Sequence, residues 1–177
     1  MANKATGAQW RGPRKSTTGE KQESGLLASI DSLMATARHI VTFVDWWSVN
    51  LPIREISRHL LRSAFYVFYL HEQFHHKVES LGLRLLISTG TDRYRPYKAN
   101  VYRHTFNTAD CVEESLANAE SYRRLSEPRY ILRVDPAIRD GLRAYLKWSI
   151  PQQLPGYREG IDYLPGSRYR DGLHQLQ

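Results

Sequence analysis

Phe65-Tyr66-Val67-Phe68-Tyr69-Leu70-His71-Glu72-Gln73-Phe74-His75 sits in the middle of a run, Ile53 to about Leu86, that has no proline and only one glycine, Gly82. A stretch so dense in apolar residues and so free of breakers predicts one long, mostly buried helix. Its last five residues read H-E-x-x-H. On a helix the step of four places His71 and His75 one above the other on a single face, so both imidazoles can reach one ion. Glu72 projects about a hundred degrees away around the axis. From there it can hold a metal-bound water without ligating the metal itself. Burying polar groups beside so many apolar ones is costly, and a bound cation would compensate them. Zinc suits this set because it accepts neutral imidazole and carboxylate, and with three protein ligands it keeps one position open.

A third ligand must come from elsewhere, and the best source is a second helix containing Glu113-Glu114-Ser115-Leu116-Ala117-Asn118. Glu114 and Asn118 are four residues apart and share a face. With these residues the chain resembles the gluzincin metallopeptidases, in particular the compact minigluzincin type, in which H-E-x-x-H on one helix is joined by E-x-x-x-D or E-x-x-x-N on the next. The resemblance covers about fifty residues, His71 to Glu120. It implies that Glu114 is the third zinc ligand and that Asn118 orients His71, fixing ring direction and tautomer. Glu113 is the substitute if the register shifts by one. Two departures stand out: Asn118 occupies a position where such proteins commonly have Asp, and Phe74 replaces a glycine frequent between the histidines.

The fold expected around this pair is α+β and predominantly helical, a compact zincin-like domain with two metal-bearing helices and a small edge strand or sheet. The strand is expected within Ser88–Asn107, where Gly90, Asp92 and Pro96 precede Tyr94, Tyr97, Tyr102 and Phe106. An edge there could bind an extended substrate by backbone pairing. Asn107 is expected to cap the second metal helix, whose stripe Val112, Leu116 and Ala119 runs towards Leu125 and stops before Pro128.

Further out, Leu27, Ile30, Leu33, Met34, Ala37 and Ile40 predict an amphipathic helix from Leu26 to about Phe43. Val44–Pro52, with Trp46 and Trp47, reads as a short strand or an ordered loop. Another helix starts near Asp135 and Pro136. The glycines and prolines after Ile150 predict an irregular tail. Residues 1–24, basic and poor in apolar side chains, read as a flexible arm, and 25–177 as a single domain.

Several neighbours could assist. Glu79 is four residues after His75 on the ligand face, placed to orient that histidine or to pair with Arg84. His76 points away from the metal. A peptidase needs a donor for the oxyanion. Tyr97, Tyr102, His104 and Tyr122 are candidates, and Tyr102 is the first choice.

The remaining composition sets limits. The chain has 177 residues and a formal net charge of +7, which attracts nucleic acid, anionic lipid or acidic protein without choosing among them. Its arginines form no nucleic-acid signature, so that partner has no motif behind it. No apolar run is long enough to span a membrane. The single Cys111 cannot form an internal disulfide, which suits a reducing, cytoplasmic setting.

The function expected is a zinc-dependent metallopeptidase acting on a protein or peptide, with Glu72 as general base to a zinc-activated water. Two alternatives compete. One is a non-enzymatic interaction protein with a structural metal site and a basic surface. The other is a di-iron carboxylate bundle, since Glu72-x-x-His75 matches half of that ligand set, but no second Glu-x-x-His exists in the chain.

Overall fold

The computed structural model describes residues 20–125 and 134–176. The chain divides into two units, Met1–Ser32 and Leu33–Gln177. His71, His75 and Glu114 and the helices that carry them belong to the second. Most of the expected basic arm, residues 1–19, lies outside the described residues, as does Pro128. Helix α1 runs Glu20–Val41, starting earlier than its apolar pattern alone suggests.

After α1 the chain makes a single 3-10 turn, Trp46–Ser48, whose first turn is capped by Asp45: its carboxylate accepts from Trp47 N at 3.2 Å and Ser48 Oγ at 2.6 Å. Helix α2 then spans Ile53–Thr89, 37 residues or about 55 Å. Gly90 ends it in the left-handed conformation, φ 69°, with its N–H on Leu86 O at 2.8 Å. Only a residue without a Cβ takes that conformation without strain.

One expectation about α2 needs correcting. It is not mostly buried: Leu60, Ser63, Ala64, Leu70, Phe74 and Gly82 are, whereas Leu61, Phe65, Phe68, Tyr69, Leu83 and Ile87 lie exposed. The more enclosed helix is α5, Val112–Arg124, which packs against α2, α6 (Pro136–Ser149), the 3-10 turn Arg158–Tyr163 and α7 (Gly166–Gln175). Eight of its thirteen residues are buried, among them Glu113, Glu114 and Glu120.

The fold class is also corrected. Among the described residues every regular element is helical, and the expected edge strand or sheet is absent. The segment read as loop plus strand folds instead as α3 (Tyr94–Tyr97), a π turn (Lys98–Tyr102) and α4 (Arg103–Thr105). Aromatic content suggested a strand, but the spacing is helical with one residue to spare. Tyr94, Tyr97, Tyr102 and Phe106 step by three, five and four, and the wider π turn absorbs the long step. Tyr94, Tyr102 and Phe106 then line one cleft. Asn107 does not cap α5. It takes φ 62° in the turn after α4, a conformation asparagine tolerates, and α5 begins five residues later with Cys111 at its N-cap.

Asp135 caps α6 as expected, accepting from Ala137 N at 2.9 Å, and its own N–H donates to His59 Nδ1 on α2 at 2.9 Å. Ile138, Leu142, Leu146 and Ile150 then pack on Ile40, Leu60, Ala64 and Leu70 as the main core. Phe74 leads a second cluster with Leu116, Ala117, Ala119 and Tyr169, so the residue replacing glycine is the apolar anchor between α2, α5 and α7. The tail is irregular up to Pro165, with 3-10 turns at Ile150–Gln152 and Arg158–Tyr163, but ends in the unexpected helix α7, whose Tyr169 and Leu173, with Leu176 just after it, pack on that cluster. No helix among the described residues is long and apolar enough to cross a membrane.

Candidate metal centre

Helices α2 and α5 bring His71, His75 and Glu114 together, with one ligand atom from each lying within 4.8 Å of the others. His71 Nε2 lies 3.1 Å from Glu114 Oε2, His75 Nε2 lies 3.4 Å from the same oxygen, and the two Nε2 atoms are 3.2 Å apart. Tetrahedral zinc with bonds of about 2.05 Å needs ligand atoms roughly 3.3 Å apart. The three edges measured here fit that requirement.

The outward nitrogens decide which atoms remain for a metal. Asn118 Nδ2 donates to Gln153 Oε1 at 2.8 Å and to Tyr157 O at 2.9 Å. Its Oδ1 is therefore the acceptor for His71 Nδ1–H at 3.0 Å. His75 Nδ1–H donates to Glu113 Oε1 at 2.7 Å. Both rings thus carry their proton on Nδ1 and turn Nε2 towards Glu114. Tyr102 donates its hydroxyl to Glu114 Oε1, leaving Oε2 to face the imidazoles.

Two imidazole lone pairs and a carboxylate in close contact repel unless a proton or a cation lies among them. Burial alone would lower the His75 pKa, but the hydrogen bonds to Glu113 and Glu114 and the charges of both carboxylates push it up to about 9. Burial would likewise raise the Glu114 pKa. The hydrogen bonds from His71, His75 and Tyr102 outweigh that and hold it well below the usual carboxylate range. The site is charged for a cation, and its position in the first turn of α5 favours the anionic Glu113 and Glu114.

The ligand group opens onto a cleft of about 480 Å³. Glu72, exposed on the face of α2 beside the histidines, lines it together with His76 and Glu79. Glu79 stands at the cleft rather than on His75, whose two nitrogens are engaged by Glu113 and by the ligand group. Opposite are Lys98 and Tyr102, and Tyr157 closes the end beside His71.

Tyr157 is the site residue that the sequence did not single out, because it belongs to the glycine- and proline-rich tail. Its ring stacks on His71 with centroids 5.9 Å apart and 14° between planes. The turn carrying it is pinned to α5: Ser115 Oγ donates to Gly156 O at 2.5 Å, and Asn118 Nδ2 holds Tyr157 O. Gly156 has φ 94°, and a Cβ there would come within 3.0 Å of Cys111 Cβ and Thr108 O. Burial, the charge of Glu114 and a hydrogen bond to that carboxylate raise the Tyr157 pKa, with Cys111 and Glu72 adding to them, and keep the phenol protonated. Of the other tyrosines expected near the chemistry, Tyr97 is half-buried, and its pKa is raised by burial and by Glu113. Tyr122 packs against the main core. His104 is exposed.

Comparison with protein families, with curated proteins and with solved structures finds no match.

Proposed function

We propose that the chain is a metal-dependent hydrolase whose site holds one zinc ion through His71, His75 and Glu114. More narrowly, it acts as a gluzincin-like peptidase with Glu72 as general base. The observation that carries this reading is the convergence of two Nε2 atoms and one carboxylate oxygen at 3.1, 3.2 and 3.4 Å, beside an exposed glutamate on the wall of an open cleft.

Zinc bound there supplies Lewis acidity, polarising a carbonyl and lowering the pKa of water. The chain's own residues do the rest. Glu72 takes the proton of the attacking water and passes it to the departing amine. Asn118 and Glu113 hold the histidines in the tautomer that leaves Nε2 unprotonated, and Tyr102 fixes the rotation of Glu114. The oxyanion role is given to Tyr157, whose phenol lines the cleft beside His71 and Glu114 and stays protonated, while Tyr102 makes the close bond to Glu114 Oε1. A polypeptide is the substrate, and a cytoplasmic setting suits the lone Cys111.

Among the described residues the ligand group has three members. That supports a site with an open position over a closed structural site, which takes four. Glu72→Gln tests the reading. The variant is expected to bind zinc as the wild type does and to lose hydrolysis of an unfolded polypeptide by at least a hundredfold. Equal hydrolysis by the two proteins would remove Glu72 from the chemistry.

A further inference from the structure

A solvent-facing helix surface is ordinarily polar, and α2 departs from this along one line. Leu61, Phe65, Phe68 and Tyr69 are exposed by 43, 49, 41 and 44 %. Their steps of four, three and one, followed by three to Glu72, keep all of them on the face that carries Glu72. The stripe runs about 12 Å along the helix, and Glu72, on the wall of the cleft, follows one turn further on the same face. Single exposed apolar residues need no explanation, but four large ones on a single helix face do. The row is also ordered, with Phe65 stacked on Tyr69 at 5.5 Å and 18° between planes. On the opposite side Leu60, Ala64 and Leu70 enter the core, so the exposed row is not a misplaced core face.

The absence of a strand among the described residues gives the row its meaning. A peptidase that holds an extended substrate on an edge strand obtains affinity from backbone pairing. Among the described residues this cleft has no such edge, so its grip on a polypeptide comes from side chains. Those beyond Glu72 towards the end of α2, His76 and Glu79, are polar, whereas those of the row before it are apolar. We propose that Leu61, Phe65, Phe68 and Tyr69 form a docking stripe for an apolar segment of the polypeptide substrate, lying to one side of the bond presented to Glu72. The stripe matches about four extended residues. This inference rests on the peptidase reading, and it adds the class of substrate: unfolded chains carrying aromatic or aliphatic residues within about five positions of the cut.

The test uses the full chain and a fluorescently labelled, unfolded casein, with binding read by anisotropy in the Glu72→Gln background so that no cleavage intervenes. Phe65→Ser together with Phe68→Ser is expected to weaken casein binding roughly tenfold or more, with circular dichroism and zinc content unchanged. In the Glu72-containing protein, the ratio of KM for casein to KM for a short peptide ending near the cut is expected to rise by a similar factor. Unchanged casein binding in the double variant overturns the stripe. So does a wild-type dimer that the two substitutions convert to monomer with casein binding intact, because the occupant is then a second copy. Binding that depends on the phenylalanines, without hydrolysis by zinc-loaded wild type, would overturn the peptidase reading alone and leave the stripe standing.

Discussion

Glu113 Oε1 accepts a hydrogen bond from His75 Nδ1 at 2.7 Å, so the carboxylate next to the proposed third ligand serves the second histidine. Two adjacent residues at the start of α5 thereby reach the same imidazole from two sides, Glu113 at Nδ1 and Glu114 at Nε2. Glu113→Ala is expected to weaken zinc binding about 10- to 100-fold. Glu113→Gln keeps an acceptor oxygen and is expected to recover most of that loss. Competition with a chromogenic chelator measures both. Equal affinity in wild type and Glu113→Ala would remove Glu113 from the site.

Asn118→Asp tests why an amide stands where related patterns carry a carboxylate. An aspartate still accepts from His71 and makes that ring more basic, which favours zinc. It cannot donate to Tyr157 O, which its charge would repel, whereas the exposed Gln153 amide can turn to donate to it. The variant is expected to bind zinc at least as tightly while losing about 1–3 kcal/mol of stability. Chelator competition and urea unfolding separate the two effects, and unaltered stability would show that the tie to the tail is not maintained.

Tyr157 and Tyr102 separate catalysis from ligand support. Tyr157→Phe is expected to lower kcat roughly a hundredfold with zinc affinity unchanged. Tyr102→Phe frees Glu114 Oε1 and is expected to weaken zinc binding about tenfold. The reverse pattern in steady-state kinetics would return the oxyanion role to Tyr102.

Acid should unfold the protein partly through Glu120, which is buried among Lys77, Arg124 and Tyr169. Burial raises its pKa, but the hydrogen bonds from Arg124 and Tyr169 and the charge of Arg124, with Lys77 adding to them, bring it below the ordinary 4.5. A folded-state pKa below the unfolded value gives stability that is present above pH 4.5 and lost as pH falls through the lower, folded-state value. Glu120→Gln is expected to cost about 2 kcal/mol at pH 7 and to vary less between pH 5 and 3 than the wild type. Urea unfolding with a chelator present checks this, and parallel pH profiles would contradict it.

The pairing of the two histidines was legible in the sequence because a helix turns four residues into one face. His71 with His75 needed only that periodicity and the absence of breakers from Ile53 to Leu86, whereas periodicity placed Glu114 and Asn118 on one face and a family resemblance joined them to the histidines. Tyr157 was not legible, since its place depends on Ser115 and Asn118 gripping a turn some forty residues downstream, and no local pattern encodes such a contact. The segment from Tyr94 to Phe106 misled because aromatic residues suit strands while their spacing suits a helix containing a π turn. The exposure of α2 was hidden for a related reason. Phe65 and Phe68 read as core from their chemistry, and only the packing of α5 and α6 on one side of the helix leaves them in solvent.

Calorimetric titration of the metal-free chain with zinc tests the central claim most directly. One ion per chain is predicted, with affinity lowered at least a hundredfold in His71→Ala, His75→Ala and Glu114→Ala and retained in Glu72→Gln. Two ions per chain, or undiminished affinity in Glu114→Ala, would contradict it.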